Sequence, residues 1–300
     1  MELSWTMKFR IAAAFAIGVV LLGLLPWHLI SPPAGGIFAI LSGTISIGDL
    51  LICAGLSFAA GFLASAVCTP FGMQIGILAA PAGMAVWALR SAALSTVFQA
   101  APAAQDRLAV YSSLRLEAFV WMAIVGCCCF GAIAADKIFK REPANLMDNI
   151  GAVFKLPDFA AIPIAVIATI FVGGLLINLI AGDISYPDAK LGRVVGQPAN
   201  LQIAFAVLIS FMICGFIMKY FIGVNFLWPA ATSALLSYYS ITMYIKKPII
   251  EHLVNTWPAV FFANSIAAVL PVQMVAFACL GAVWGYWLAV RQHLWQKYES

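Results

Sequence analysis

The chain has 300 residues, 64% of them hydrophobic and 9% charged, which is roughly a third of the charge share of a soluble domain. A mean hydropathy of +1.00, carried by uncharged runs of about 20 residues, excludes a water-soluble globule and points to a helical protein that crosses a membrane repeatedly. The net charge of +4 is scattered between the apolar runs, so nothing marks a nucleic-acid partner.

A membrane β-barrel is excluded as well. Barrel strands alternate apolar and polar residues, whereas the stretch IAAAFAIGVVLLGLL stays apolar throughout. In chain order, runs long enough to span a bilayer lie near 9–30, 49–68, 71–90, 117–135, 159–182, 201–219, 224–245 and 271–290, about eight in all. The first follows Lys8 and Arg10 like a signal peptide. Its apolar stretch of about 17 residues has no A-x-A cleavage pattern after it, so it reads as an uncleaved span. Pro33–Gly48 and Pro258–Leu270 are short, interrupted apolar stretches that read as candidates for re-entrant segments. The hydrophilic stretches 91–116, 136–158, 183–200 and 246–257 are too short to form a soluble domain.

The expected fold class is therefore all-α, a polytopic membrane bundle, and the two halves share an order of features. Sliding 1–150 against 151–300 aligns Asp49-Leu50-Leu51-Ile52 with Asn200-Leu201-Gln202-Ile203, and a Gly-x-amide turn recurs at Gly72-Met73-Gln74 and Gly223-Val224-Asn225. Next come spans interrupted at Ala80-Pro81-Ala82-Gly83 and Trp228-Pro229-Ala230-Ala231, then an amphipathic stretch, then a last span carrying Gly126 or Gly281. This order predicts two tandem parallel four-helix repeats, 1–150 and 151–300. Placing the basic 136–158 loop in the cytoplasm puts both termini there, in a cell membrane.

Small residues four apart, in Ser57-xxx-Gly61-xxx-Ser65, Gly72-xxx-Gly76-xxx-Ala80 and Gly281-xxx-Gly285, mark close helix contacts, read first as packing within one chain. The seven cysteines, including the consecutive Cys127, Cys128 and Cys129, all lie in apolar runs. Consecutive helical residues point about 100° apart, so these read as packing residues rather than a metal or redox site.

The site hypothesis rests on the two prolines. Pro81 and Pro229 each remove a backbone donor within a span, and interrupted helices at corresponding places in two repeats point to a transporter's binding site. Gln74, Pro81, Gly83, Asn225, Pro229, Thr232 and Ser233 are thus expected to line a pathway for a small solute or ion. Asp49 and Glu117 open their spans, where a carboxylate favours the helix dipole. They are the candidates for a proton or ion site and are expected at the membrane interface. Trp228, next to Pro229, walls a cavity or faces lipid. His28, His252 and His293 read as interfacial, and Glu251-His252 is a weak acid–base candidate because helical neighbours diverge. No phosphate loop, HExxH, zinc-spaced cysteine pair or GxSxG elbow is present, so the chain reads as a non-enzyme without cofactor or metal. Its partners are the lipid bilayer and a solute. The rival reading, a structural or assembly subunit of a larger membrane complex or a homo-oligomer, needs only apolar faces and small-residue packing.

Overall fold

A computed structural model describes residues 5–32, 36–37, 39–40, 45–68, 72–139 and 157–299. Pro70 and Phe71, half of the 33–48 stretch, the loop residues Lys140, Arg141 and Lys155, and the expected boundary at 150 lie outside the described residues.

The chain is mostly helical, and among the described residues seven helices are long and apolar enough to cross a membrane. In the first half, α1 (Trp5–Gly18) continues through a π-helical stretch to Leu24, followed by the short α2 (Trp27–Ile30), α3 (Ile47–Val67), α4 (Gly72–Gly76) and α5 (Ala79–Arg90). Two shorter helices, α6 (Leu94–Ala100) and α7 (Ala104–Leu114), lead to α8 (Glu117–Ile138). In the second half, α9 (Asp158–Ala181) precedes a hairpin of β1 (Ser185–Asp188) and β2 (Gly192–Gly196), and α10 (Asn200–Ile217) ends in a π turn. The chain closes with α11 (Leu227–Tyr244), α12 (Lys247–Thr256), β3 (Phe261–Phe262) and α13 (Pro271–Glu299).

The seven are α1 with its extension, α3, α4–α5, α7–α8, α9, α10 with its extension, and α13. The expected eighth span, 224–245, forms the 18-residue α11, but Thr232, Ser233, Ser237 and Ser240 keep it outside that apolar set. Outward faces are hydrocarbon: on α9 the stripe Phe171, Leu175 and Leu179 is 73%, 66% and 74% exposed. A patch of that kind calls for lipid rather than water.

A small sheet departs from the purely helical expectation. It runs in the order β1-β2-β3, all antiparallel, and uses the 183–200 and 258–270 stretches. Gly192, at φ +72°, closes a three-residue hairpin loop in the conformation such loops require. The 258–270 stretch accordingly forms β3 and one 3-10 turn (Ser265–Ala268) rather than a helical re-entrant segment.

Two helix pairs dominate the packing, α3 with α8 and α10 with α13, each running in parallel. Ser57 Oγ donates to the Ile124 carbonyl at 2.7 Å and Ser65 Oγ to Asp136 at 2.9 Å, so the small-residue motif of α3 serves contacts within the chain. A Cβ on Gly61 would overlap the Cys128 carbonyl, and one on Gly131 would overlap that of Phe58. In the second half a Cβ on Gly215 would press on the Ala282 carbonyl, on Gly281 on that of Leu208, and on Gly285 on that of Met212. Gly126, expected to match Gly281 in depth, has no neighbour within 4 Å; the tight counterpart is Gly131.

The halves meet where α13 packs on α5 and α8, and α11 on α8. At one end, loops of both halves join into a cap through buried amides. Gln273 Nε2 donates to the Ala88 carbonyl (3.3 Å) and Asn200 Oδ1 (3.2 Å), Asn200 Nδ2 donates to the Ser91 carbonyl (2.8 Å), and the Ser95 amide donates to Gln197 (3.3 Å).

Candidate functional site

The expected interruptions exist, and each lies a few residues before its proline. The third span breaks at Ile77–Leu78, between α4 and α5, and the matching span of the second half begins after Gly223, at φ +80°. Pro81 and Pro229 both stand third in the helix that follows, α5 and α11. In a first turn the missing proline N–H costs little. Both prolines thus stand in the first turn of the helix that follows an interruption, and Pro81 lies midway along the span Gly72–Arg90.

The two helix starts converge on one cavity of about 390 Å³. Ile77 and Pro81 supply one wall, and Trp228, Ala230 and Ala231 the facing one. Met122, Gly126 and Phe130, a stripe spaced by four on α8, line it with Cys279 and Val283 of α13. Gly126 sits roughly 13 Å along α8 from Glu117, at 1.5 Å per residue, near the middle of that helix. Its missing side chain leaves the space open. Phe130 (67% exposed) and Trp228 (41% exposed) stand at the mouth on an apolar flank, so Trp228 both walls the cavity and faces outward.

The hydroxyls and amides expected along a pathway are placed elsewhere. Thr232 Oγ1 donates to the Trp228 carbonyl (2.8 Å) and Ser233 Oγ to that of Ala230 (2.6 Å), serving the first turns of α11. Asn225 Oδ1 accepts from the Leu227 amide at 3.4 Å, before the same helix. Gln74 is half-buried on α4, Pro229 is buried, and a Cβ on Gly83 would press against the Gly18 carbonyl of α1. Of the seven expected pathway residues, Pro81 is the one in the cavity wall.

Asp49 lies at the third position of α3 in a capping box. Ser46 Oγ donates to its carboxylate at 2.7 Å, and the Asp49 amide donates to Ser46 Oγ at 3.1 Å. Glu117 begins α8 as expected, and its side chain is fully buried within the protein. Trp87 and Trp121 pack against each other in the interior, tilted by 56° with centroids 5.9 Å apart, and neither lines the cavity. Cys128 Sγ contacts the Gly76 carbonyl at 3.4 Å, and none of the seven cysteines forms a disulfide.

The cap holds a second cluster. His252 Nε2 sits 2.9 and 3.0 Å from the two Asp188 carboxylate oxygens, Trp257 Nε1 donates to Asp188 at 2.7 Å, and the Lys190 and Leu191 amides donate at 2.9 and 2.7 Å. Glu251 pairs instead with exposed Lys247 at 3.8 Å, so the Glu251-His252 reading is corrected. The indole of Trp257, with the hairpin amides and His252, holds the Asp188 carboxyl well below the usual carboxylate range. A carboxyl lowered in this way stabilises the fold above its ordinary range, near 3.9, and that contribution disappears as pH falls through the lower folded value. Acidification is expected to weaken the hairpin progressively from about pH 4 and to remove this contribution only below the lower folded value, whereas Asp188→Asn should loosen it already at neutral pH, read as faster amide exchange across 185–196.

Sequence spacing could not reveal Asp188 and His252 as partners, being 64 residues apart. The stripe Met122-xxx-Gly126-xxx-Phe130 was legible as one helix face, although nothing in it pointed to a cavity. No family model, curated protein or solved structure matches the chain.

Proposed function

We propose that the chain is a multi-pass membrane protein of two tandem four-helix repeats, 1–150 and 151–300, that binds and passes on an apolar solute in the cleft between them. The observation that carries this reading is the convergence of the two helix starts, Pro81 from one half and Trp228–Ala231 from the other, on a single hydrocarbon-lined cavity with its mouth on an apolar flank. A water-soluble ion or sugar would find little to bond there. An acyl chain or similar hydrocarbon would exchange water or lipid contact for close packing.

The repeat reading draws on glycine packing. Phe58 with Gly131 recurs as Leu208 with Gly281 at a shift of 150, and as Met212 with Gly285 at 154. Gly61 with Cys128 recurs as Gly215 with Ala282 at the same shift of 154. Both pairs are parallel helices, as expected for tandem repeats related by an axis along the membrane normal. With the basic 136–158 loop in the cytoplasm, both termini face that side and the cap faces out.

The test is native mass spectrometry of protein gently extracted from its own membranes, wild type against Gly126→Phe. Nothing lies within 4 Å of a Cβ at 126 and Gly126 lines the cavity, so a phenylalanine there is expected to project into it. Wild type is expected to carry a bound apolar molecule that the folded variant loses. Equal retention by both proteins, or a stoichiometric foreign polypeptide as the sole companion, would overturn the reading, the latter in favour of a complex subunit.

A further inference from the structure

Arg107, the fourth residue of α7, is 6% exposed. Its guanidinium lies over the Phe98 ring, 5.4 Å from the centroid. That ring is fixed edge-on by Tyr111 at 5.1 Å and tilted against Phe262 at 5.8 Å. The Tyr111 hydroxyl is already committed to the Ala267 carbonyl at 3.1 Å. Arg107 Nε is buried with no acceptor, and none of the ion pairs among the described residues includes this side chain. Its neighbours in the cap are treated differently: Arg115 donates to Tyr238 at 2.7 Å and Arg193 to the Gly182 carbonyl at 2.7 Å.

A buried cation without a counter-charge is strongly unfavourable, and one aromatic face offsets only part of that. A guanidinium is also the group best shaped to grip a planar pair of oxygens through Nε and a terminal nitrogen. We infer that Arg107 anchors an oxyanion site in the cap, with the Phe98–Tyr111–Phe262 cluster as its rigid floor and a carboxylate or phosphate group as its ligand. The site is separate from the apolar cavity and does not depend on the solute reading.

The experiment uses the full chain in maltoside micelles and follows its thermal unfolding midpoint at constant ionic strength. Inorganic phosphate, acetate and dimyristoyl phosphatidylglycerol are titrated separately, against wild type, Arg107→Met and Arg107→Lys. A ligand that binds the folded state raises the midpoint saturably. Wild type is expected to rise by a few degrees, Arg107→Met not at all, and Arg107→Lys to need at least about tenfold more ligand, because it keeps the charge but loses the two-point grip. A rise with phosphate or acetate identifies a soluble anion, and a rise with the phospholipid alone identifies a headgroup. The inference is overturned if no probe raises the wild-type midpoint, or if the Arg107→Lys protein responds as wild type does. An Arg107→Met protein that does not fold leaves the lysine comparison to decide.

Discussion

Gly285→Val protein is expected to lose its fold in detergent at temperatures that leave the wild type intact. A Cβ at 285 overlaps the Met212 carbonyl and crowds the Phe216 amide at 2.7 Å, so α10 and α13 must part along their whole contact. Overpacking a tight core costs about 1–3 kcal/mol, and here the obstacle is backbone, which cannot rotate away. Gly131→Val should do the same to α3 and α8, where the Phe58 carbonyl and Phe62 amide block the way. Gly126→Ala is the control. It meets nothing within 4 Å and should be neutral or stabilising by up to about 1 kcal/mol, the usual gain of alanine over glycine in a helix. The fraction of monodisperse protein surviving a heating series reads all three. Equal losses at 126 and 285 would contradict the packing described.

Gln273→Leu should separate the halves. Gln273 is 1% exposed; its Oε1 accepts from the Leu270 amide at 3.0 Å, completing the start of α13 behind Pro271, while its Nε2 reaches Ala88 and Asn200. Leucine fills similar space but strands each of those groups in the interior, at about 1–3 kcal/mol apiece. The expected outcome is a lower unfolding midpoint, with faster amide exchange at 88–91 and 200–203, one stretch from each half. Exchange that quickens only around 270 would reduce Gln273 to a local helix cap.

Much of the architecture was legible because membrane helices announce themselves by run length. Seven of the eight expected spans are long apolar helices, and the interruptions of the third and seventh fall within a few residues of the expected places. What escaped was whatever depends on who faces whom. The strands of the cap are two to five residues long, too short for an alternating pattern, and Ser185-Tyr186-Pro187-Asp188 carries no apolar face. Proline was read as a breaker because its ring and missing donor oppose a helix interior. Its tolerance in a first turn depends on where the helix begins, which the apolar run did not mark. Polar side chains in spans were read as a pathway, yet Thr232 and Ser233 turn back on their own helix. Arg107 looked like any loop arginine, and only the closing of α6, α7 and β3 over it buries the charge.

The most direct test of the central claim uses vesicles of phosphatidylcholine bearing a diazirine at mid-chain, with adducts mapped by peptide mass spectrometry after illumination. Cys279 and Val283 are each only 3% exposed and are reached through the cavity. Adducts on these two residues in the wild type, lost in Gly126→Phe, are the predicted result. Adducts confined to outward faces such as Phe171 and Leu175, with none at 279 or 283, would contradict an apolar cleft that admits hydrocarbon from the membrane.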